Sequence, residues 1–458
     1  MNHPDLTPYP DDYSLLTDLY QLTMSACYVG EQLDQRSASF ELFIRRLPEN
    51  FGYLVAMGLE QALHYLTHFR FNSEQIQALQ QTGIFTHVPE AFWALLAEGR
   101  FTGDVWAVPE GTVVFANEPI LRVEAPLWQA QLVETYLLNT INYQTLIATK
   151  TARMRDVAGE DALLLEFGTR RAFSPQASLW AARAALAAGM NATSNVLAAL
   201  QLGQNPSGTM AHALVMALTA IEGNEDQAFA AFHRYFPGAT LLIDTYDSIA
   251  AAERLAAQVK AGTLQLSGVR LDSGDLVEQS QRVRSLLPKV KILASGDLDE
   301  HEILRLNEAG AEIDGYGLGT KLVTGSPVNG VYKLVEIDSI PVMKASSGKT
   351  TYPGRKQIFR QFNGDGFQGD RLGLFTEVPD RSLPLLQCVV KQGNRIYPTE
   401  SLAAISDRTR AAVRSLPNSV RQVQTPTPGT VILSKALQTL TAQTQTHLHT
   451  SPPNQLPS

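Results

Sequence analysis

Five short apolar runs in this sequence each end in a turn carrying groups able to do phosphate chemistry. LLLEFG (163–168) ends on Glu166 and is followed by Arg170 and Arg171, and TLLIDT (240–245) ends on Asp244 with Asp247 close behind. SGVRLDSGD (267–275) carries Arg270, Asp272, Ser273 and Asp275. VKILASGD (290–297) carries Ser295, Gly296 and Asp297, and EIDGYGLGT (312–320) carries Gly317, Gly319 and Thr320. A guanidinium fork matches a phosphate or carboxylate in a two-pronged geometry. Carboxylates hold a hydrated Mg²⁺ or ribose hydroxyls. Glycine-bearing turns let backbone N–H groups approach phosphate oxygens. The combination points to a sugar phosphate carrying a metal-bound diphosphate. GYGLGT has neither the Rossmann nor the Walker spacing, so those nucleotide sites are excluded.

One further residue stands out. GTMAHALVMA (208–217) places His212 among small and apolar neighbours, in a chain with nine histidines. Gly208 and Thr209 suit a turn and a helix cap. On the stretch alone the reading is a core histidine satisfied by a backbone carbonyl, and the rest of the chain has to decide whether that reading stands.

The spacing of the five runs says what must hold them. Asp244 and Asp272 are 28 residues apart, and Asp272 and Gly296 are 24 apart, the length of one strand-helix unit. SIAAAERLAAQVKAG (248–262) and LDEHEILRLNEAG (298–310) are the intervening helices by apolar periodicity. Repeated units of this kind predict an α/β fold with a parallel sheet, open or closed into a barrel. In either form, ligands lie beyond the carboxyl ends of the strands. The section between 168 and 240 is Ala-rich and helical.

Both flanks of this region differ from it. LLTDLYQLTMSACYVG (15–30) reads as a helix, residues 1 to about 12 as a loose leader, and 128–158 as one long helix. ASFELFIRRLP (38–48), the 101–126 stretch and the segments after 330 read as short strands. The expected division is therefore 1–127 with 335–437 as an α+β domain built from both chain ends, 128–334 as the αβ domain, and 438–458 as a disordered Thr/Gln/Pro-rich tail. Lys344–Arg360 is a basic stretch, read either as a solvated loop or as a flap reaching a diphosphate. Trp106, Trp128 and Trp180 are read as packing residues.

A chain of 458 residues with 44% hydrophobic and 18% charged residues supports two or three folded domains. A net charge of −8 gives no general attraction to nucleic acid or anionic membrane, so phosphate must be held locally. Cys27 and Cys388, far apart, make neither a disulfide framework nor a metal-ligand spacing. With no signal-like or membrane-length apolar segment, the expected compartment is the cytoplasm.

LLTDLYQLTM, FELFIRRLP, LLEFGTRRA, GTMAHA, LIDTYDS, GVRLDSGDL, ASGDLDEHEI, GYGLGTKLVT and GVYKLVE occur in this order. They resemble the nicotinate phosphoribosyltransferase family, a type II phosphoribosyltransferase family, from about Leu15 to about Lys356. The resemblance implies an irregular αβ barrel with a second domain from both chain ends. It implies condensation of nicotinate with 5-phosphoribosyl-1-pyrophosphate to nicotinate mononucleotide and pyrophosphate, the entry of nicotinate into NAD biosynthesis. ATP as co-substrate, Mg²⁺ and a homodimer with sites completed across its interface are also implied.

Residue by residue, the resemblance places Tyr20 and Thr209 at nicotinate. Phe167 stacks on the pyridine and Arg170 lies near its carboxylate. Arg270 lies between nicotinate and the phosphoribosyl group, and Asp272 near the ribose. Thr320 contacts the 5-phosphate, with Gly296, Gly317 and Gly319 supplying N–H groups. Asp244 lies near the catalytic histidine and the metal-diphosphate and is the one candidate metal contact, the metal ligands being otherwise unassigned. His212 resembles the histidine phosphorylated by ATP. Nicotinamide or quinolinate transfer, and a non-catalytic nucleotide sensor on the same scaffold, stay open as alternatives.

Overall fold

The computed structural model describes residues 6–346, 351–378 and 381–450, the side chains of 448–450 excepted. The chain divides into two compact units, 1–146 with 327–458 and 147–326. The expected boundaries at 127/128 and 334/335 lie elsewhere for two reasons. The helix Glu134–Ala158 begins among first-unit residues, where Tyr136, Leu137 and Ile141 are buried in the core. The strand Gly330–Ile337 pairs antiparallel with Ser37–Ile44.

The first unit is built on a seven-stranded sheet in which Ser37–Ile44 is flanked by Gly330–Ile337 and Pro119–Pro126. Early and late segments of the chain thus share one core, with Phe40 stacked on Tyr332 at 5.0 Å between centroids. A second sheet orders Leu383–Pro384, Lys356–Asn363, Gly366–Leu374 and Val431–Leu433.

Lys356 and Arg360 belong to that second sheet. Lys356 pairs with Glu41 at 2.9 Å and Arg360 with Asp370 at 2.6 Å, all four side chains buried. Those two cations therefore do not serve a flap. Residues 347–350 of the basic stretch lie outside the described residues.

The tail expectation also changes. Lys435–Thr450 is an α-helix, and residues 451–458 lie outside the described residues. Composition hides the reason: Leu437 and Thr444, two turns apart, are buried while the other face is polar. Near the N-terminus, Pro10–Leu15 is a short 3₁₀ helix and the following α-helix begins at Leu19. The expected 128–158 helix is two helices, Leu127–Leu132 and Glu134–Ala158.

The second unit holds a six-stranded sheet in the order Ala192–Thr193, Leu163–Glu166, Gly315–Leu318, Lys291–Ser295, Gly268–Leu271, Leu241–Leu242. Every neighbouring pair is parallel. Apart from one seam, each strand lies beside its sequence neighbour, and Leu163–Glu166 joins the first strands to the last. Leu164, Leu241, Leu242, Val269, Leu271, Ile292 and Leu318 are fully buried, as expected for parallel strands covered on both faces.

Three connecting helices start on aspartate caps. Asp247 accepts from the Ile249 and Ala250 amides, Asp275 from Val277 and Glu278, and Asp299 from Glu302. Each cap satisfies N–H groups that the first helical turn leaves without partners. Asp247 and Asp275, grouped by sequence with the chemistry-bearing turns, thus act as helix caps.

Candidate active site

Sheet register brings the strand-end groups of the second unit together. Leu242 lies opposite Arg270, so Asp244 and Asp272, two residues further along each strand, come side by side. The Asp272 amide donates to Asp244 Oδ2 at 3.0 Å, and the Ser273 hydroxyl donates to the same oxygen at 2.6 Å. Asp272 Oδ1 accepts a short hydrogen bond from the Ser295 hydroxyl on the next strand. Three neighbouring strand ends are stitched together by two carboxylates.

His212 faces this pair. It opens the helix His212–Glu222. Its Nε2 lies 3.9 Å from Asp244 Oδ1 and 3.9 Å from Asp272 Oδ2, with side-chain exposures of 40%, 4% and 39% respectively. Its Nδ1 lies 3.1 Å from the Thr245 hydroxyl. The imidazole is thus oriented by one ring nitrogen while remaining open to solvent, which a buried core histidine is not. Asp244 Oδ1 is buried with no hydrogen-bond partner. A carboxylate oxygen in that state is costly unless a cation or donor meets it in the working complex.

Arg270 lies on the same strand edge. It donates from Nη2 to the Met210 carbonyl at 2.8 Å, next to Thr209, while its buried Nε has no partner. Burial pulls its guanidinium below the usual arginine range and the charge of Arg170 acts in the same sense, whereas Asp272 and Asp244 oppose both. Its guanidinium carbon is 5.9 Å from the Phe167 ring centroid. The Phe167 ring rests on Gly317, where a Cβ would come within 2.6 Å of it. Gly317 is buried inside its strand, so its lack of a side chain serves the ring. Gly319 and Gly296 stand at the turns.

Glu166 holds the Phe167 turn in place. It is buried, accepts from the Gly168 amide and the Thr193 hydroxyl, and burial raises its pKa. Arg170 is exposed, Thr209 is half-buried, and Thr320 opens the short helix Thr320–Val323. Tyr20 belongs to the first unit, exposed near the start of the helix Leu19–Gly30. Sequence reasoning missed Thr245 and the Met210 carbonyl. Thr245 follows Asp244 directly, and a hydroxyl beside a strand-end acid is the only signal it offered.

Gly296 is required by its geometry. Its φ is +98°, and a Cβ would fall 2.3 Å from the Asp272 carbonyl oxygen. Gly296→Ala should cost at least about 1–2 kcal/mol from backbone strain, with displacement of Asp272 adding to it. Urea unfolding should show the loss. Unchanged stability would mean that the turn accepts a side chain without moving Asp272.

Family models cover most of the chain. The nicotinate phosphoribosyltransferase N-terminal domain matches residues 15–142, the family's central region residues 162–363, and its C-terminal domain residues 375–441. The chain belongs to the nicotinate phosphoribosyltransferase family. It is 44% identical to the nicotinate phosphoribosyltransferase of Bacillus subtilis over 386 residues, covering 80% of this chain and 77% of the relative. A Mycobacterium tuberculosis nicotinate phosphoribosyltransferase is 40% identical over 423 residues, 90% of this chain and 89% of the relative. The crystal structure of human nicotinic acid phosphoribosyltransferase superposes with a TM-score of 0.81 at 30% identity, covering 93% of this chain and 99% of that one. For this family member, an α/β fold with a parallel-strand sheet and separate domains is the shared architecture.

Proposed function

We propose that the chain condenses nicotinate with 5-phosphoribosyl-1-pyrophosphate, giving nicotinate mononucleotide and pyrophosphate, with ATP hydrolysis coupled through a phosphohistidine at His212. The observation that carries this reading is the meeting of His212, Asp244, Asp272 and Arg270 at one edge of the parallel sheet. An aromatic acid lying on Phe167 brings its carboxylate within reach of the Arg270 fork, with Arg170 adding positive charge. Pyrophosphate leaves the anomeric carbon through a cationic transition state. The pyridine nitrogen already carries a lone pair, so the chain supplies position and charge rather than a general base. Asp272 is assigned to the ribose, whose developing positive charge its carboxylate stabilises. Thr320, Gly319 and Gly296 are assigned to the phosphate groups of the donor. The roles of Tyr20 and Thr209 at nicotinate rest on the family resemblance.

Mg²⁺ fits the residues present. Among the described residues no group of three or more His, Cys, Asp or Glu side chains is disposed to hold a metal. The buried, unpartnered Asp244 Oδ1 and the partly exposed Asp272 Oδ2 offer two hard oxygens of the kind that bind a hydrated, diphosphate-carried ion. When bound, Mg²⁺ neutralises charge on the departing diphosphate.

The strand order supports an irregular barrel whose two unpaired edges are Ala192–Thr193 and Leu241–Leu242. The Ser207 amide donates to the Thr193 carbonyl there, so the Ser207–Ala211 segment extends one edge toward the other. A homodimer is supported by apolar side chains exposed on two helices, Val196, Leu197 and Leu200 on one and Met216 and Ile221 on the other. Two free cysteines fit the cytoplasm as the compartment. Among the described residues no helix is long and apolar enough to cross a membrane.

The deciding experiment is a pyrophosphate-release assay with nicotinate, donor, Mg²⁺ and ATP, omitting one component at a time. Release should need nicotinate and donor, fall sharply without Mg²⁺, and rise with ATP. Equal turnover of nicotinamide, CO₂ release from quinolinate without ATP, or no turnover at all points to the nicotinamide, quinolinate and sensor alternatives in turn.

A further inference from the structure

Between Glu134 and Lys150 the long helix has no charged residue. Lys150 is nevertheless buried, with its ammonium donating to the carbonyls of Lys321 and Thr324, the latter at 2.7 Å. Those carbonyls belong to the turn that begins at Thr320, directly after Gly319. One helical turn on, Arg153 donates from Nε to Glu300 at 3.0 Å, both side chains buried. Glu300 opens the helix that follows the Gly296 turn. A single helix face therefore holds the Thr320 turn and the first residue of the helix that follows the Gly296 turn.

Burying an ammonium strips it of its hydration, and a neutral side chain of similar length would fill the same space without that loss. The charge itself is what needs explaining. Burial lowers the Lys150 pKa and the charges of Lys321 and Arg153 act in the same sense, while the carboxylates of Glu300 and Asp299 oppose them. The Lys321 carbonyl shares a peptide plane with the Leu322 N–H, which donates to the Gly319 carbonyl at 3.0 Å, and the Thr324 N–H donates to the Thr320 carbonyl at 3.1 Å. Holding the Lys321 and Thr324 carbonyls therefore anchors the short helix that carries Thr320 against Gly319.

We propose that Lys150 is a positioning residue for the 5-phosphate of the ribose donor, acting through the Thr320–Thr324 turn and setting a positive charge behind it. This rests on the reading that the Thr320 turn receives that phosphate. The test measures steady-state kinetics of K150M, K150R, T320A and the K150M/T320A double variant. In K150M the KM for the donor should rise about tenfold or more, the size expected when a charge-assisted hydrogen bond is lost. The KM for nicotinate should stay within about twofold, because that substrate meets other residues. K150R, which keeps the charge and the donors, should recover most of the loss. The double variant should lose less than the product of the single losses, since both act on one turn.

A donor KM raised by T320A but untouched by K150M overturns the inference and leaves the reading of the turn standing. A donor KM untouched by either variant overturns both. If K150M does not fold, K150Q takes its place, keeping an N–H donor without the charge. A donor KM unchanged in K150Q, or equal losses for both substrates, likewise overturns the inference.

Discussion

His212→Ala should take up no acid-labile phosphate from ATP and Mg²⁺, and its product formation should no longer respond to ATP. Transfer of the γ-phosphoryl group breaks its bond to the ADP oxygen and forms a bond to an imidazole nitrogen, so alanine removes the acceptor outright. The geometry singles out this histidine. Its ring is 40% exposed, oriented by the Thr245 hydroxyl at 3.1 Å, and faces two carboxylates at 3.9 Å. Alanine at the first position of the helix His212–Glu222 suits helix propensity, so thermal stability should change by less than about 1 kcal/mol. Loss of coupling with a preserved fold separates a chemical role from a packing role. Mass spectrometry of the 208–217 region after incubation with ATP gives the direct readout. Undiminished stimulation by ATP in the variant would remove His212 from the reaction.

Asp244→Asn should lower kcat/KM for the donor by about 10²–10³, the loss typical when one preorganised electrostatic contact to a reacting group is removed. Asp244 does two things at once. Its Oδ2 accepts from the Asp272 amide and the Ser273 hydroxyl, which fixes the second carboxylate, while its buried Oδ1 has no partner. The amide keeps the shape but removes the negative charge proposed to meet a Mg²⁺-diphosphate. Loosening the Asp272 turn should itself cost only about 1 kcal/mol of stability. Pyrophosphate release across a Mg²⁺ titration, beside a thermal melt, distinguishes the two contributions. Near wild-type turnover at saturating Mg²⁺ would show that Asp244 only braces the loop.

The repeated strand-helix spacing was legible in the sequence because parallel strands buried on both faces must be short, apolar and about one helix apart. Leu241–Leu242, Gly268–Leu271, Lys291–Ser295 and Gly315–Leu318 fall where the apolar runs predict them. The tail from Lys435 was not legible, since a helix that buries Leu437 and Thr444 among polar residues resembles a disordered segment by composition. The basic stretch near Lys356 failed for the opposite reason. Buried cations paired with Glu41 and Asp370, far away in sequence or across a hairpin, cannot be told from solvated ones by counting charges.

By itself the sequence determined the class of chemistry, the residue types available for it, and the parallel α/β scaffold, because periodicity and turn composition are local properties. Only the tertiary structure decided which acid does what. Asp244 and Asp247 stand three residues apart, as do Asp272 and Asp275, and each pair reads alike on the page. In the fold, Asp247 and Asp275 satisfy the opening amides of helices, while Asp244 and Asp272 face His212 across neighbouring strands. Strand register makes that choice, and register is a relation between distant segments that no local pattern encodes.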